Sequence, residues 1–194
     1  MKSASNTDVA ILILGEESIL SGEAHCRADI SLPGCQQQLI DVISQTGTPI
    51  VLVIMAGRPL TIENVLPKVD AVLFAWHPGT MGGPAIADLL FGKACPSGKL
   101  PVTFPRKVGQ VPIYYAQKHS GKPATEQAFV HMDDIPVHSP QTSLGMAATH
   151  LDTHFSPLFP FGFGLSYTQF SYQNLDLSHK TLKLGETLVV RVLL

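Results

Sequence analysis

The residues best suited to chemistry lie between Leu14 and Gly34, in LGEESILSGEAHCRADISLPG, which gathers Glu16, Glu17, Glu23, His25, Arg27 and Asp29. Only 14% of the chain is charged, so this concentration stands out. A carboxylic acid that donates a proton near neutral pH needs burial or a neighbouring negative charge to raise its pKa, and partners to fix its geometry. Arg27 does the opposite: it lowers the pKa of a neighbouring carboxylate, or pairs with Asp29 as a brace. A solvated surface loop has the same charge pattern. Other chemistries fit less well. No GxGxxG or GxxxxGK[ST] motif is present, and Glu16 and Glu17 would repel phosphate where such a motif would bind it. His25 and His77 belong to no HxH or HExxH constellation, so no metal site is expected. A serine nucleophile elbow is absent. Cys26, Cys35 and Cys95 have no CxxC spacing, which speaks against a disulfide framework or a zinc site and for semi-buried free thiols.

The elements that must position these residues are legible from apolar patterning. DVAILIL (8–14), PIVLVIM (49–55) and VDAVLFAW (69–76) are continuous apolar runs, which suit parallel strands covered on both faces. Between the first two, GCQQQLIDVISQTG places Leu39, Ile40 and Ile43 on one helical face, with Gly47 at the C-terminal cap. After the third run, GGPAIADLLFG places Ala85, Ile86, Leu89 and Leu90 on one helical face, closed by Gly92. SGKLPVTFP reads as a further short strand between breakers. Alternating strands and helices imply an α/β fold over about residues 8–110, an open, mostly parallel sheet flanked by helices. Ligands of such sheets bind beyond the carboxyl ends of the strands. That location selects three segments: GEESILSGEAHCR, AGRP and WHPG, the last with Trp76, which either stacks on a sugar face or covers the sheet edge.

From Val108 to about Pro160 the chain is rich in proline and histidine and has little periodicity, and within it Gly121 to His154 is long enough to be a site-lining flap or a partly disordered insertion. From about Gln169, FSYQNLDLS and ETLVVRVLL read as the opening strands of a β-sandwich, incomplete because such a fold takes about seven strands. An apolar fraction of 45% and a net charge of −2, without a block of like charge, describe a globular chain and disfavour nucleic acid as a partner. No apolar run approaches the ~18 residues of a membrane helix, and Val9 to Leu14 is too short for a signal core.

VLVIMAGRPL, AWHPGTMGGPAIADLLFGKACPSGKLPVTFPRKVGQVPIYY and FPFGFGLSYTQF closely resemble the C-terminal α/β-sandwich domain of glycoside hydrolase family 3, in its bacterial periplasmic β-glucosidase branch. The resemblance runs from about Asp8 to Phe170, and the tail resembles the start of that family's fibronectin-type-III-like domain. It implies a domain over residues 1–168, with the irregular insertion at about 119–155, followed by a truncated β-sandwich over 169–194. It further implies a retaining, exo-acting β-glycosidase that removes terminal β-D-glucosyl residues from oligosaccharides. In that family the nucleophile comes from an N-terminal (β/α)8 barrel, and the acid/base glutamate lies in an E-x-x-x-R segment eight residues after the glycine that ends the first strand. Counting from Gly15, the match falls on Glu23, with Arg27 four residues beyond.

The expectations that follow are a catalytic Glu23, with Arg27, Asp29, Trp76 and His77 binding substrate or supporting the site. No cofactor and no metal are implied. The barrel is absent, so this chain by itself is expected to be inactive, with an exposed apolar face. By resemblance the parent is periplasmic or secreted. The alternative reading is a non-catalytic α/β module that binds carbohydrate or protein through its charged loop.

Overall fold

The computed structural model describes residues 2–118, 121–141, 144 and 147–194. Six of the remaining positions belong to the expected insertion or its border: 119, 120, 142, 143, 145 and 146, so that part of the expectation lies outside the described residues.

Three strands, β1 (Ala10–Gly15), β2 (Ile50–Met55) and β3 (Ala71–Phe74), form a parallel sheet in the order β1-β2-β3. Helix α1 (Gln36–Ser44) connects β1 to β2, and α2 (Gly82–Leu90) follows β3. The fold class read from the sequence is thus present. Register explains how the core forms. Leu12 lies beside Leu52, which lies beside Val72, and Leu14 pairs with Ile54, which pairs with Phe74. Paired residues of neighbouring strands point to one side of the pleat, so these six side chains form one apolar face. It packs on Leu32, Ile40, Leu60, Ile62 and Val65. Burying each such side chain contributes about 1.5–3 kcal/mol.

The opposite face differs from expectation. β2 is covered on both sides, but β1 is an edge strand whose Ile11 and Ile13 are 41% and 60% exposed. Ladder bonding starts with the Ala10 N–H on the Pro49 carbonyl and ends with the Glu16 N–H on the Met55 carbonyl. The backbone groups of Ile11, Ile13 and Gly15 therefore point outward. At Gly15 the Gln36 side chain supplies what a neighbouring strand would: its carbonyl accepts the Gly15 N–H and its amide donates to the Gly15 carbonyl, both at 2.8 Å. Both helices are shallower than their patterns suggest. In α1 only Ile40 is fully buried and Leu39 is exposed, and in α2 Ala85 is exposed.

SGKLPVTFP forms no regular strand. Pro101 and Pro105 lack the N–H a ladder needs, and the segment makes one antiparallel bridge, Phe104 with Phe159. It holds the later PFGF turn instead, through the Leu100 N–H on Phe163 and the Gly162 N–H on Leu100. Phe104 is buried against Phe74 and Phe159. The end of the long excursion is fastened nearby: Arg106 pairs with Glu63 at 2.6 Å and donates to the Ser156 carbonyl and hydroxyl, while buried Gln110 donates to the His154 carbonyl. The tail forms an exposed antiparallel ribbon, β4 (Gln173–Leu177) with β5 (Val190–Leu193).

Gly15 closes β1 at φ +138°, and a Cβ there would stand 1.9 Å from the Met55 carbonyl oxygen. Gly15→Ala is expected to cost about 2 kcal/mol or more of stability, from backbone strain and from parting β1 and β2 where the charged loop begins. Urea unfolding of the two chains measures this, and an unchanged midpoint would mean that the strands separate there without cost.

Candidate functional site

The three strand ends bring the charged loop and two shorter loops together. β1 ends at Gly15 and releases Glu16; β2 releases Ala56, Gly57 and Arg58; β3 releases Ala75, Trp76 and His77. Parallel strands in register end at one level, so residues distant in sequence meet there.

Glu16 is the centre of this meeting. Its side chain has no exposed surface, and its carboxylate receives Arg27 Nη1 at 2.6 Å and Arg58 Nε at 3.1 Å. A carboxylate taken out of water costs several kcal/mol unless charged donors replace the lost hydration. Here two guanidinium groups do so. Each arginine also donates through Nη2 to the backbone of the charged loop. Arg27 Nη2 donates to Ser31 at 2.9 Å, while Arg58 Nη2 donates to Leu20 and to His25, the latter at 3.1 Å. Of the two sequence readings of Arg27, it is the one beside a neighbouring carboxylate that forms, with Glu16, and not the brace to Asp29. Asp29 instead accepts the Ser31 N–H at 2.8 Å, in a short local turn.

Glu23 sits at the exposed tip of the loop, between Gly22 at φ +149° and Ala24 at φ +64°. The His25 N–H on the Gly22 carbonyl closes the turn. Its carboxylate makes no hydrogen bond or ion pair with the described residues. Leu20 and His25, the carbonyls held by Arg58, stand on either side of it in sequence.

His77 and Ser21 meet beneath the loop, with Nε2 and Oγ 3.4 Å apart. They close over Gly57, where a Cβ would come within 2.3 Å of Ser21 Oγ and 2.6 Å of His77 Nε2. Only glycine leaves room for that approach. Trp76, at φ +51°, is half-buried, with its ring edge-on to Phe74 at 4.6 Å and Phe104 at 5.9 Å. The structure therefore brings Arg27 into the buried cluster, places His77 beside Ser21, packs Trp76 among aromatic rings and leaves Asp29 at the loop's outer end.

Sequence reasoning placed Glu16 in the charged loop and Arg58 in AGRP but gave neither a role in the site. The available signal was positional: a carboxylate directly after one strand and an arginine three residues past the end of its neighbour. The three thiols are exposed rather than semi-buried. Among the described residues no group of three or more His, Cys, Asp or Glu could hold a metal ion, and no helix is long and apolar enough to cross a membrane. Two concavities, one around Ser44, Pro49, Lys68 and Asp70 and one around Phe170 and Leu193, both lie away from Glu23. The charged loop lines neither of them.

The Ser31 N–H holds the Asp29 carboxyl below the ordinary aspartate pKa of 3.8, the Ser31 hydroxyl and nearby Arg27 assisting. A folded pKa below the unfolded one makes the contribution of Asp29 present above the unfolded value and lost as pH falls through the folded value. Carboxyl titration by NMR is expected to show Asp29 ionising below 3.8, with the Ser31 amide shifting in step. An ordinary value would mean that the turn does not persist in solution.

Comparison with known proteins agrees with this architecture. The family model for the glycosyl hydrolase family 3 C-terminal domain matches residues 1–167. A periplasmic β-glucosidase of Salmonella typhimurium is 39% identical over 183 residues, covering 94% of this chain and 22% of that protein. A β-xylosidase of Formosa agariphila is 33% identical, covering 99% of this chain and 24% of its own length. Among solved structures, the β-glucosidase of Listeria innocua in complex with glucose superimposes with a TM-score of 0.83 at 37% identity, over 98% of this chain and 25% of that one. The chain thus spans about a quarter of the length of these relatives.

Proposed function

Since the chain belongs to glycosyl hydrolase family 3, through that family's C-terminal domain, we propose that it supplies the general acid/base of a retaining, exo-acting β-glycosidase that removes terminal β-D-glucosyl residues. The observation that carries this reading is the placement of Glu23: a free carboxylate on an exposed turn beyond the carboxyl end of β1, with the backbone on both sides of it anchored. Glu23 first gives its proton to the departing glycosidic oxygen. As a carboxylate it then takes a proton from the water that opens the glycosyl-enzyme.

Retaining hydrolysis places the nucleophile's carboxyl group about 5–5.5 Å from the acid/base. On this reading the nucleophile belongs to a barrel within the three quarters of the relatives' length that this chain does not span. The isolated chain is then inactive. Arg27 and His77 support the loop, Asp29 shapes its outer end, and Trp76 holds the third strand end in place. Residues 1–168 form the α/β domain and 169–194 open a fibronectin-type-III-like one. The names of the Salmonella and Listeria proteins favour a glucoside substrate, and the former a periplasmic or secreted parent. The Formosa protein makes a β-xyloside the comparison to run beside it.

In a complete glycosidase carrying this chain, Glu23→Gln is expected to lower kcat on an aryl β-glucoside by about 10²- to 10⁴-fold. Added azide, which attacks the glycosyl-enzyme without needing a base, is expected to restore turnover on a substrate with a good leaving group and to yield the β-glycosyl azide. Unchanged activity would remove Glu23 from the reaction and favour a binding role for the loop.

A further inference from the structure

We propose that Glu16 and Arg58 are positioning residues for the acid/base, acting through the backbone of the Glu23 turn. This rests on the assignment of Glu23 above. The turn has little of its own to hold it: Glu23 is exposed, its neighbours have positive φ, and one local hydrogen bond closes it. Arg58 reaches it from the end of β2 and donates to Leu20 and His25, the carbonyls that bracket residues 21–24. Its Nε is held in turn by the fully buried Glu16 carboxylate, itself fixed to the end of β1 by the Glu16 N–H on the Met55 carbonyl. The line of support therefore runs from the sheet through Glu16 and Arg58 to both sides of Glu23.

The geometry is specific to arginine. A guanidinium holds several N–H groups in one plane, so Arg58 meets the carboxylate with Nε while Nη2 donates to both carbonyls; the single nitrogen of an ammonium cannot stand at both places. Arg27 has a different part. It shares Glu16 but donates to Ser31, outside the turn. Loss of Arg58 thus frees the turn while the Glu16–Arg27 pair still compensates the buried carboxylate.

A displaced acid has a kinetic signature that general destabilisation lacks. Protonation matters for a poor leaving group and is nearly irrelevant for 2,4-dinitrophenolate. In the complete glycosidase, Arg58→Ala is expected to lower kcat/KM on phenyl or methyl β-glucoside by about 10- to 100-fold, the range for a catalytic group moved by about 1 Å. On 2,4-dinitrophenyl β-glucoside the change is expected to stay below about threefold. Arg58→Lys should fall between Arg58→Ala and the parent. Glu16→Gln should behave as Arg58→Ala does, and if it fails to fold the two Arg58 variants carry the test.

Glu23→Gln, measured on the same substrates, separates the two ideas. If it shows the leaving-group dependence while the Arg58 variants lose both activities equally, or neither, the positioning role is overturned and the acid/base assignment stands. If Glu23→Gln shows no such dependence, both fall.

Discussion

The structure around the strand ends depends on one constraint: the carboxylate of Glu16 is out of water. An unpaired carboxylate in that position would cost several kcal/mol, and the fold answers with two arginines, one from eleven residues along the same loop and one from the neighbouring strand, 42 residues away. Losing both would leave a buried charge uncovered, and either one alone still pairs with it. Because each also holds backbone carbonyls of the charged loop, the requirement to compensate Glu16 becomes a requirement that the loop keep its shape. Electrostatics that would be marginal on a surface acquire structural force through burial.

That arrangement is available only because the sheet is parallel and in register. β1 and β2 pair from Ala10 with Ile50 to Gly15 with Met55, and the Glu16 N–H extends the ladder by one step. The end of β2 then delivers Gly57 and Arg58 beside the end of β1. Gly57, lacking a Cβ, lets Ser21 and His77 close over it, and Arg58 passes on to the loop. β3 adds Trp76, whose contacts with Phe74 and Phe104 tie the third strand end to the aromatic core. Packing sets the level at which the strands end, and that level sets which side chains meet.

Much of this was legible in the sequence, and the rest was not for identifiable reasons. Continuous apolar runs marked all three strands, and Gly47 and Gly92, both at positive φ, marked where the helices close. The charged loop was recognisable as the candidate site because it follows the first run directly. The partner of Arg27 was not recognisable. Local spacing suggested Asp29, two residues away, whereas the true partner is selected by burial at the strand end and by an arginine from another loop. The exposure of Ile11 and Ile13 was equally hidden, since an apolar run does not reveal whether its strand is central or an edge. SGKLPVTFP was misread because its apolar residues outweighed its two prolines, which cost it a ladder and left one bridge to Phe159.

On the proposed reading, the same geometry would let a reaction centre be divided between two parts of a protein. A carboxylate that must work opposite another at about 5–5.5 Å tolerates little freedom, and an exposed turn would ordinarily have a great deal. If both carboxylates stood on one rigid sheet, a single set of strand ends would fix their separation. When one stands on a turn facing outward, each side must be stiff before they meet, or the cost of ordering the turn falls on every catalytic cycle. On the proposed reading, the Glu16 cluster would meet that cost during folding. Glu23 is exposed; on the same reading the substrate cavity would belong to the junction with the rest of the enzyme, while the stiffness would come from this domain.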